Sequence, residues 1–396
     1  MSKYQVAIIG TNIGAKHYED FQKVSDKFNV HTVCGLTKES IENILPVNSS
    51  TNILLNFKDF QKVSDKFNVH TVCGLTKESI EKILPANSGT NISLNFEDVL
   101  KIKEIDIVDI CLPPHLHFSA CKKSLEAGKH VICEKPLVSS LEEIDQLKEI
   151  SNKTGKTIFP VFQYRYGPGF SKLKALIKSG LAGKPLVASL ETHWNRGKEY
   201  YSKAWRGTWK GEQGGAILSH SIHIHDLICM ILGPVSNVYA KLTTRVNDIE
   251  VEDCAALSIE MKNGSLVTSS ITLGAANDTS RLKFCFEGLT IESAASPDKP
   301  YNPAEDEWKF LPRTPVTQKQ IDEILLKVKQ SKTWYSGMFD EIAKKLDGVT
   351  SDEVTLEDAR RSLEFVTAVY NSSRQNKNIN LPISKDDPLY SSWLPN

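Results

Sequence analysis

Residues 4–17, YQVAIIGTNIGAKH, decide the fold. An apolar strand runs into a glycine-bearing turn, and the turn opens a helix. That arrangement holds a dinucleotide, because glycines allow the tight turn and the close backbone approach, and the pyrophosphate sits on the helix N-terminus. Gly10, Asn12 and Ala15 occupy the three spaced positions of the G-x-G-x-x-G/A pattern, with an additional Gly14. Asn12 suits the second position because Asn enters left-handed conformations more readily than most residues. Gly10, Asn12, Ile13 and Gly14 are the candidate cofactor-binding turn. A second stretch, residues 131–137, VICEKPL, ends an apolar strand in a carboxylate, an ammonium and a proline. Together they predict a dinucleotide on one strand-to-helix turn, with Lys135 presented to whatever reacts beside it.

Outward from these stretches, IDIVDICLPP reads as a buried strand, LHFSACKKSLEAG as an amphipathic helix closed by Gly128, and KHVICEKP as the next strand. The alternation implies a Rossmann-type, doubly wound parallel sheet. Residues 20–58 recur as 59–97, identical at 34 of 39 positions. Two units are too few for a solenoid, so the segment reads as a tandem duplication inside one domain. Copy 1 is expected to build the adenosine side. Copy 2 is expected at the sheet edge, or in place of copy 1's last strand. About 20 residues past the turn, where an acid takes the ribose of NAD, stand Thr37 and Lys38. A hydroxyl and an amine there suit a 2′-phosphate and suggest NADP tolerance or preference. Lys38 as a solvated first-turn lysine remains the alternative.

The 396 residues exceed one ordinary domain, and the 40 % apolar and 24 % charged fractions are those of a globular enzyme. Lys plus Arg equals Asp plus Glu at 48 each, which argues against nucleic acid or anionic lipid as a partner. No apolar run reaches membrane-spanning length, strand residues begin at Tyr4, and no CxxC pair occurs among eight cysteines. A reduced, cytoplasmic protein is expected. The boundaries expected are a dinucleotide-binding domain at 1–158 and a substrate and oligomerisation domain at 159–396. In the second, PLVASLETHW, NVYAKLTTRV and CAALSIEM-KNG-SLVTSSITL read as strands of an open-faced, mostly antiparallel sheet. Its uncovered face predicts a homo-oligomer, and a late helix at 356–375 is expected to pack toward the first domain.

With CLPPHLH at 111–117, EAGKHVICEKP, FQYRYGP at 162–168 and WRGTWKGEQGGAILSHSIHIHD at 205–226, the chain resembles the Gfo/Idh/MocA oxidoreductases. The resemblance implies a Rossmann domain joined to an open-faced sheet domain. It also implies NAD or NADP as cofactor and a sugar, polyol or sugar derivative as substrate. Carried over by position, Glu134 lies with Pro113 and His117 at the cofactor, and Lys135 near the reacting hydroxyl. Arg165 lies on the substrate side by the same resemblance. Helical spacing puts Ser219, His220, His223 and Asp226 on one face. Ser219 stands where many relatives carry Asp or Asn. That leaves Lys135 and His223 as acid/base candidates, and Ser219, His220 and Asp226 as substrate-side residues. His223 as a structural hydrogen-bonding histidine stays open. His220, His223 and Asp226 offer metal-ligand types, but the resemblance calls for no metal. Trp194, Tyr200, Tyr201, Trp205 and Trp209 suit a sugar ring or a packing role equally. The function expected is hydride transfer between NAD(P) and a secondary alcohol or carbonyl. The alternative is a non-catalytic cofactor- or sugar-binding regulator of the same fold.

Overall fold

Tyr4–Ile9 forms strand β1, and Val6 to Ile9 are wholly buried without alternation, as a strand covered on both faces requires. The structure, a computed structural model, describes residues 3–10, 13–34, 71–73, 91–93, 96–293, 300–305 and 308–395. The chain divides into two units. The first comprises 1–134, 146–161 and 339–353, and the second 135–145, 162–338 and 354–396. The single cut expected near residue 158 is therefore replaced by several crossings of the chain.

In the first unit, helix α1 (Gly14–Gln22) leads to β2 (Phe28–Cys34), followed by β3 (Thr71–Cys73) and β4 (Asn91–Ser93). Strand β5 (Ile107–Ile110), helix α2 (His117–Glu126), β6 (His130–Cys133) and β7 (Ile158–Pro160) follow. The sheet runs β4-β3-β2-β1-β5-β6-β7, and every pairing is parallel. Strand order reverses between β1 and β5. In such sheets ligands bind at the carboxyl ends of the strands that flank this switch. The Thr32–Thr71, Val33–Val72 and Cys34–Cys73 partners of β2 and β3 are the same residues of the two sequence copies, side by side. Phe339 closes the underside of α1, stacked on Phe21 at 3.7 Å between ring centroids.

The second unit holds a sheet of eight strands, β8 (Pro185–Asn195), β9 (Val235–Thr243), β10 (Cys254–Met261), β11 (Leu266–Thr272), β12 (Gly274–Phe286), β13 (Leu289–Glu292), β14 (Lys309–Pro312) and β15 (Ile379–Asn380). Its pairings are antiparallel except β8 with β11. In β10, Ala255, Leu257, Ile259 and Met261 point into the core, while Ala256, Ser258 and Glu260 face outward. Helices α3 (Ala216–Ser219), α4 (Ile222–Leu232) and α5 (Leu356–Gln375) belong to this unit. The late helix belongs to the second unit, as its place in the 159–396 domain implies. Thr355 and Asp358 form its capping box, and the backbone N–H groups of Ala240 and Leu242 on β9 donate to its Ser372 and Ser373 hydroxyls at 2.9 and 3.0 Å.

His225 on α4 meets the Ser269 hydroxyl of β11 at 3.0 Å, and burial pushes its pKa down to about 3. The unfolded imidazole titrates near 6.5, so from there down to about pH 3 the unfolded chain binds a proton that the fold refuses. Stability from this group is present above pH 6.5 and is lost as pH falls, by about 1.4 kcal/mol per unit. Urea midpoints between pH 6.5 and 5 should show a His225→Asn variant losing about that much of the wild-type slope. Equal slopes in the two proteins would refute the assignment.

Candidate active site

Gly10 directly follows β1 at φ +101°, a conformation that favours glycine. A Cβ there would lie 2.4 Å from the Cys111 carbonyl oxygen, and one on Gly14 would lie 2.9 Å from Ile8. The turn is therefore drawn tightly against the end of β5, where the Cys111 N–H donates to the Ile9 carbonyl at 2.7 Å. This cradle at the switch point, opening a nine-residue helix, fits a dinucleotide pyrophosphate. Asn12, Thr37 and Lys38 lie outside the described residues. Ile13 precedes α1 and is partly exposed. Pro113 opens a short 3-10 turn over Pro114–Leu116, and His117 Nε2 bonds the Leu112 carbonyl at 2.7 Å, so this histidine braces the loop after β5.

Beneath the turn lies a polar cluster that sequence reasoning missed. His17 on α1 is fully buried, with Nδ1 2.9 Å from Asp109 and Nε2 3.2 Å from Glu134. Burial opposes its charge, but Asp109, with smaller help from Cys111, carries the imidazole pKa well above its ordinary value. Cys111 Sγ lies 3.4 Å from Nδ1, and burial pushes that thiol up to about 12. These three side chains offer a nitrogen, an oxygen and a sulfur at close range. A protonated imidazole, however, has no lone pair to give a metal. One signal was available in advance, since Asp109 is a charged residue within the otherwise apolar run IVDICL at 107–112.

In the second unit, Lys135 donates from Nζ to the Ser219 carbonyl at 2.7 Å. Gly214 and Gly215 precede α3, where a Gly215 Cβ would lie 1.9 Å from the Glu252 carbonyl oxygen. The Glu252 carboxylate accepts from the Gly215 and Ile217 N–H groups at 3.2 and 3.0 Å and from the Tyr370 hydroxyl at 3.1 Å. Burial nonetheless pushes its pKa up to about 7. This buried carboxylate fixes the short helix that ends at Ser219.

The expected single helical face over 219–226 is broken. Helix α3 stops at Ser219, His220 has φ −122°, and α4 begins at Ile222. His220 is 3 % exposed, and neither ring nitrogen has a hydrogen-bond partner among the described residues. Trp194 and Tyr200 pack around it at 5.3 and 5.5 Å. Burial, then Lys135, Arg196 and Arg206, hold its pKa well below the usual value, so it stays neutral. Arg196 lies over Trp194 at 4.9 Å and pairs with Asp278 at 3.1 Å. Arg206 lies over Tyr200 at 4.0 Å and pairs with Glu212 at 3.1 Å. His223 stacks flat on Tyr164, 4.2 Å between centroids.

Arg165 and Asp226, both expected on the substrate side, are committed to each other. The guanidinium makes two bonds to the Asp226 carboxylate, at 2.7 and 2.5 Å, and a third contact to Asp358 at 3.2 Å. Both side chains are buried, Arg165 to 8 % exposure and Asp226 to 2 %. The pair joins the loop after β7 to α4, and its geometry is that of a structural ion pair. The same pairing takes Asp226 away from any metal set with His220 and His223.

Two family models match the chain. One is described as the oxidoreductase family, NAD-binding Rossmann fold, over residues 4–162, and the other as the GFO/IDH/MocA C-terminal domain, over 170–292. Together they match more than half of the chain, which belongs to the GFO/IDH/MocA oxidoreductase family. An uncharacterized oxidoreductase of Schizosaccharomyces pombe is 30 % identical over 193 residues, 46 % of this chain and 51 % of its own length. Myo-inositol 2-dehydrogenase of Thermotoga maritima is 28 % identical over 169 residues, 41 % of this chain and 48 % of its own length. These matches span about half the length of the curated relatives. Among solved structures, the WlbA dehydrogenase of Bordetella pertussis in complex with NADH and UDP-GlcNAcA superposes with a TM-score of 0.74 at 21 % identity. That match covers 97 % of this chain and 100 % of the other. At that identity the likeness speaks for the fold. The Rossmann sheet and the mostly antiparallel second sheet are therefore those of the family's dehydrogenase structures. Among the described residues, no helix is long and apolar enough to cross a membrane.

Proposed function

We propose that the chain transfers a hydride between NAD(P) and a CH–OH or carbonyl carbon of a sugar, polyol or sugar derivative. The observation that carries this reading is the Lys135 ammonium held on the Ser219 carbonyl, directly before the buried, unsatisfied His220. When bound, the nicotinamide supplies the hydride donor or acceptor. The chain's residues do the rest. Gly10 and the start of α1, with Ile13 and Gly14, seat the phosphates, and the sequence pattern gives Asn12 to the same site. Glu134 directly follows β6, and Lys135 is next in the chain, so the amine stands one residue from the cofactor side. Its Nζ orients the reacting hydroxyl and exchanges its proton as the C–H bond is made or broken. Neutral His220 accepts a hydrogen bond from a neighbouring hydroxyl. That would relieve an unpaired buried ring whose desolvation costs about 1–3 kcal/mol. His223, stacked on Tyr164, is the second acid/base candidate.

Ser219 in place of Asp or Asn would by itself suit a regulator without catalysis. The acceptor for Lys135 is, however, the Ser219 main-chain oxygen, which any residue there supplies. We therefore place the substrate contacts on Lys135, His220, His223 and Ser219, and give Arg165 and Asp226 none. The myo-inositol activity named for the Thermotoga relative and the UDP-GlcNAcA ligand named for the Bordetella structure define the first substrates to try. NADP acceptance rests on Thr37 and Lys38. Assembly through the outward face of the second sheet rests on Val187 beside Leu266, with Tyr239 exposed further along.

The test is turnover of polyols, aldoses and nucleotide-sugar acids with NAD or NADP, read by nicotinamide absorbance. Cofactor-dependent turnover of at least one hydroxylated substrate is expected. Tight cofactor binding with no turnover across the panel would favour the regulator. A monomer by light scattering would refute the assembly.

A further inference from the structure

Helix α1 carries a histidine whose two ring nitrogens face two carboxylates, one on β5 and one just past β6. His17 lies three residues past Gly14, on the side of the helix that meets the sheet, and it is entirely buried. Nδ1 reaches both oxygens of Asp109 on β5, at 3.1 and 2.9 Å, and Nε2 reaches Glu134 Oε1 at 3.2 Å, just past β6. Only an imidazolium donates at both nitrogens. Hydrogen bonds to charged groups are the stronger kind, and a buried site raises what is lost when one is broken. Phe339 meets the ring edge-on at 5.6 Å, and the Cys111 thiol, kept neutral by burial, fills the space beside Nδ1. The ring therefore cannot swing away from either acid without emptying packed volume.

We propose that His17 is a positioning residue that locks the Glu134 carboxylate in one orientation relative to the Gly10 turn, so that both ends of the dinucleotide site are set by one buried imidazolium. The proposal rests on the cofactor reading given above. The Gly10 turn and the start of α1 would hold the pyrophosphate. Glu134 would face the nicotinamide end, immediately before Lys135. His17 ties the first of these elements to the second through a single ring, while Asp109 holds that ring upright from the strand between them. Asp109 has no other part in the proposed chemistry, and this accounts for a carboxylate in the middle of a buried strand.

The two nitrogens can be tested separately. The amide nitrogen of Gln reaches about as far as Nε2, and that of Asn about as far as Nδ1. His17→Gln therefore keeps a donor for Glu134, and His17→Asn keeps one for Asp109 only. NADH affinity by calorimetry should fall about tenfold or more in His17→Asn and within about threefold in His17→Gln, the contrast expected for one hydrogen bond to a charged acceptor. The kcat of His17→Asn should fall as well, because Lys135 follows Glu134. Equal affinities in two folded variants would overturn the proposal and make His17 a packing residue.

In case His17→Asn does not fold, the wild type gives an independent reading. Imidazole N–H resonances of His17 at pH 7 should show both nitrogens protonated, and the Nε2–H signal should move when NADH is added. A singly protonated ring, or a signal indifferent to bound NADH, would overturn the proposal by itself. Failure of the wild type to bind NADH would instead overturn the cofactor reading, and this proposal with it.

Discussion

Lys135→Ala is expected to lower kcat by about 10²–10⁴-fold while leaving the NADH dissociation constant within about threefold. The ammonium is held at 2.7 Å from the Ser219 carbonyl, so its direction is fixed before any substrate arrives. Positioning of this kind makes a proton-transferring group effective, and removing it takes away both the proton carrier and the orientation of the hydroxyl. In the proposed site the cofactor's phosphates sit on Gly10 and α1, elements of the first unit that Lys135 does not build. The loss should therefore fall on turnover and not on cofactor affinity. Lys135→Arg keeps the charge but changes its shape and cannot give up the proton, so it should restore little activity. Full turnover in Lys135→Ala would remove the central residue of the proposed chemistry. Equal losses of turnover and NADH affinity would mean that the lysine serves the cofactor site instead.

The second large effect is expected at Gly10. An alanine there must hold φ near +101° and place its Cβ 2.4 Å from the Cys111 carbonyl oxygen. Left-handed strain costs on the order of 1–3 kcal/mol, and forcing extra volume into packed backbone costs about 1–3 kcal/mol more. The turn can relieve this only by moving off β5, which opens the phosphate cradle. NADH affinity should fall by about 100-fold or more, and the urea midpoint should drop. Gly155→Ala is the control, with φ +68° but nothing within 4 Å of the added Cβ. It carries the backbone strain without the collision, so its NADH affinity should not change. Equal effects at the two glycines would show that strain, not closeness to Cys111, governs the turn.

Much of this fold was legible in the sequence because its signals are local. YQVAIIG, IDIVDICL and KHVICEKP are mostly apolar, β-branched-rich runs ending at turns, and such runs fit strands buried on both faces. The alternation in CAALSIEM and SLVTSSITL likewise marks a sheet with one face covered, as β10 and β11 have. What depends on distant partners was not legible. Arg165 and Asp226 read as polar residues near a substrate, and only the folded chain shows a buried guanidinium closed around a carboxylate 61 residues away. Spacing places Ser219 to Asp226 on one helix, but the backbone turns at His220, and Glu252, 35 residues from Ile217 in the segment before β10, holds the start of α3 from a position that sequence proximity does not reveal. His17 gave no local sign of its role, because its partners Asp109 and Glu134 are 92 and 117 residues away. The unit boundaries were hidden for the same reason. A helix such as Trp334–Leu346, whose later residues fall in the first unit, carries no composition change to mark the crossing.

The central claim is that the Gly10 turn seats a nicotinamide dinucleotide. Its most direct test is calorimetric titration of the full-length protein and its Gly10→Ala variant with NADH and NADPH. Saturable one-site binding to the wild type, lost in the variant, is the predicted result, and a tighter NADPH would support the roles given to Thr37 and Lys38. A wild type that binds neither nucleotide, or a variant that binds as well as the wild type, would contradict the account.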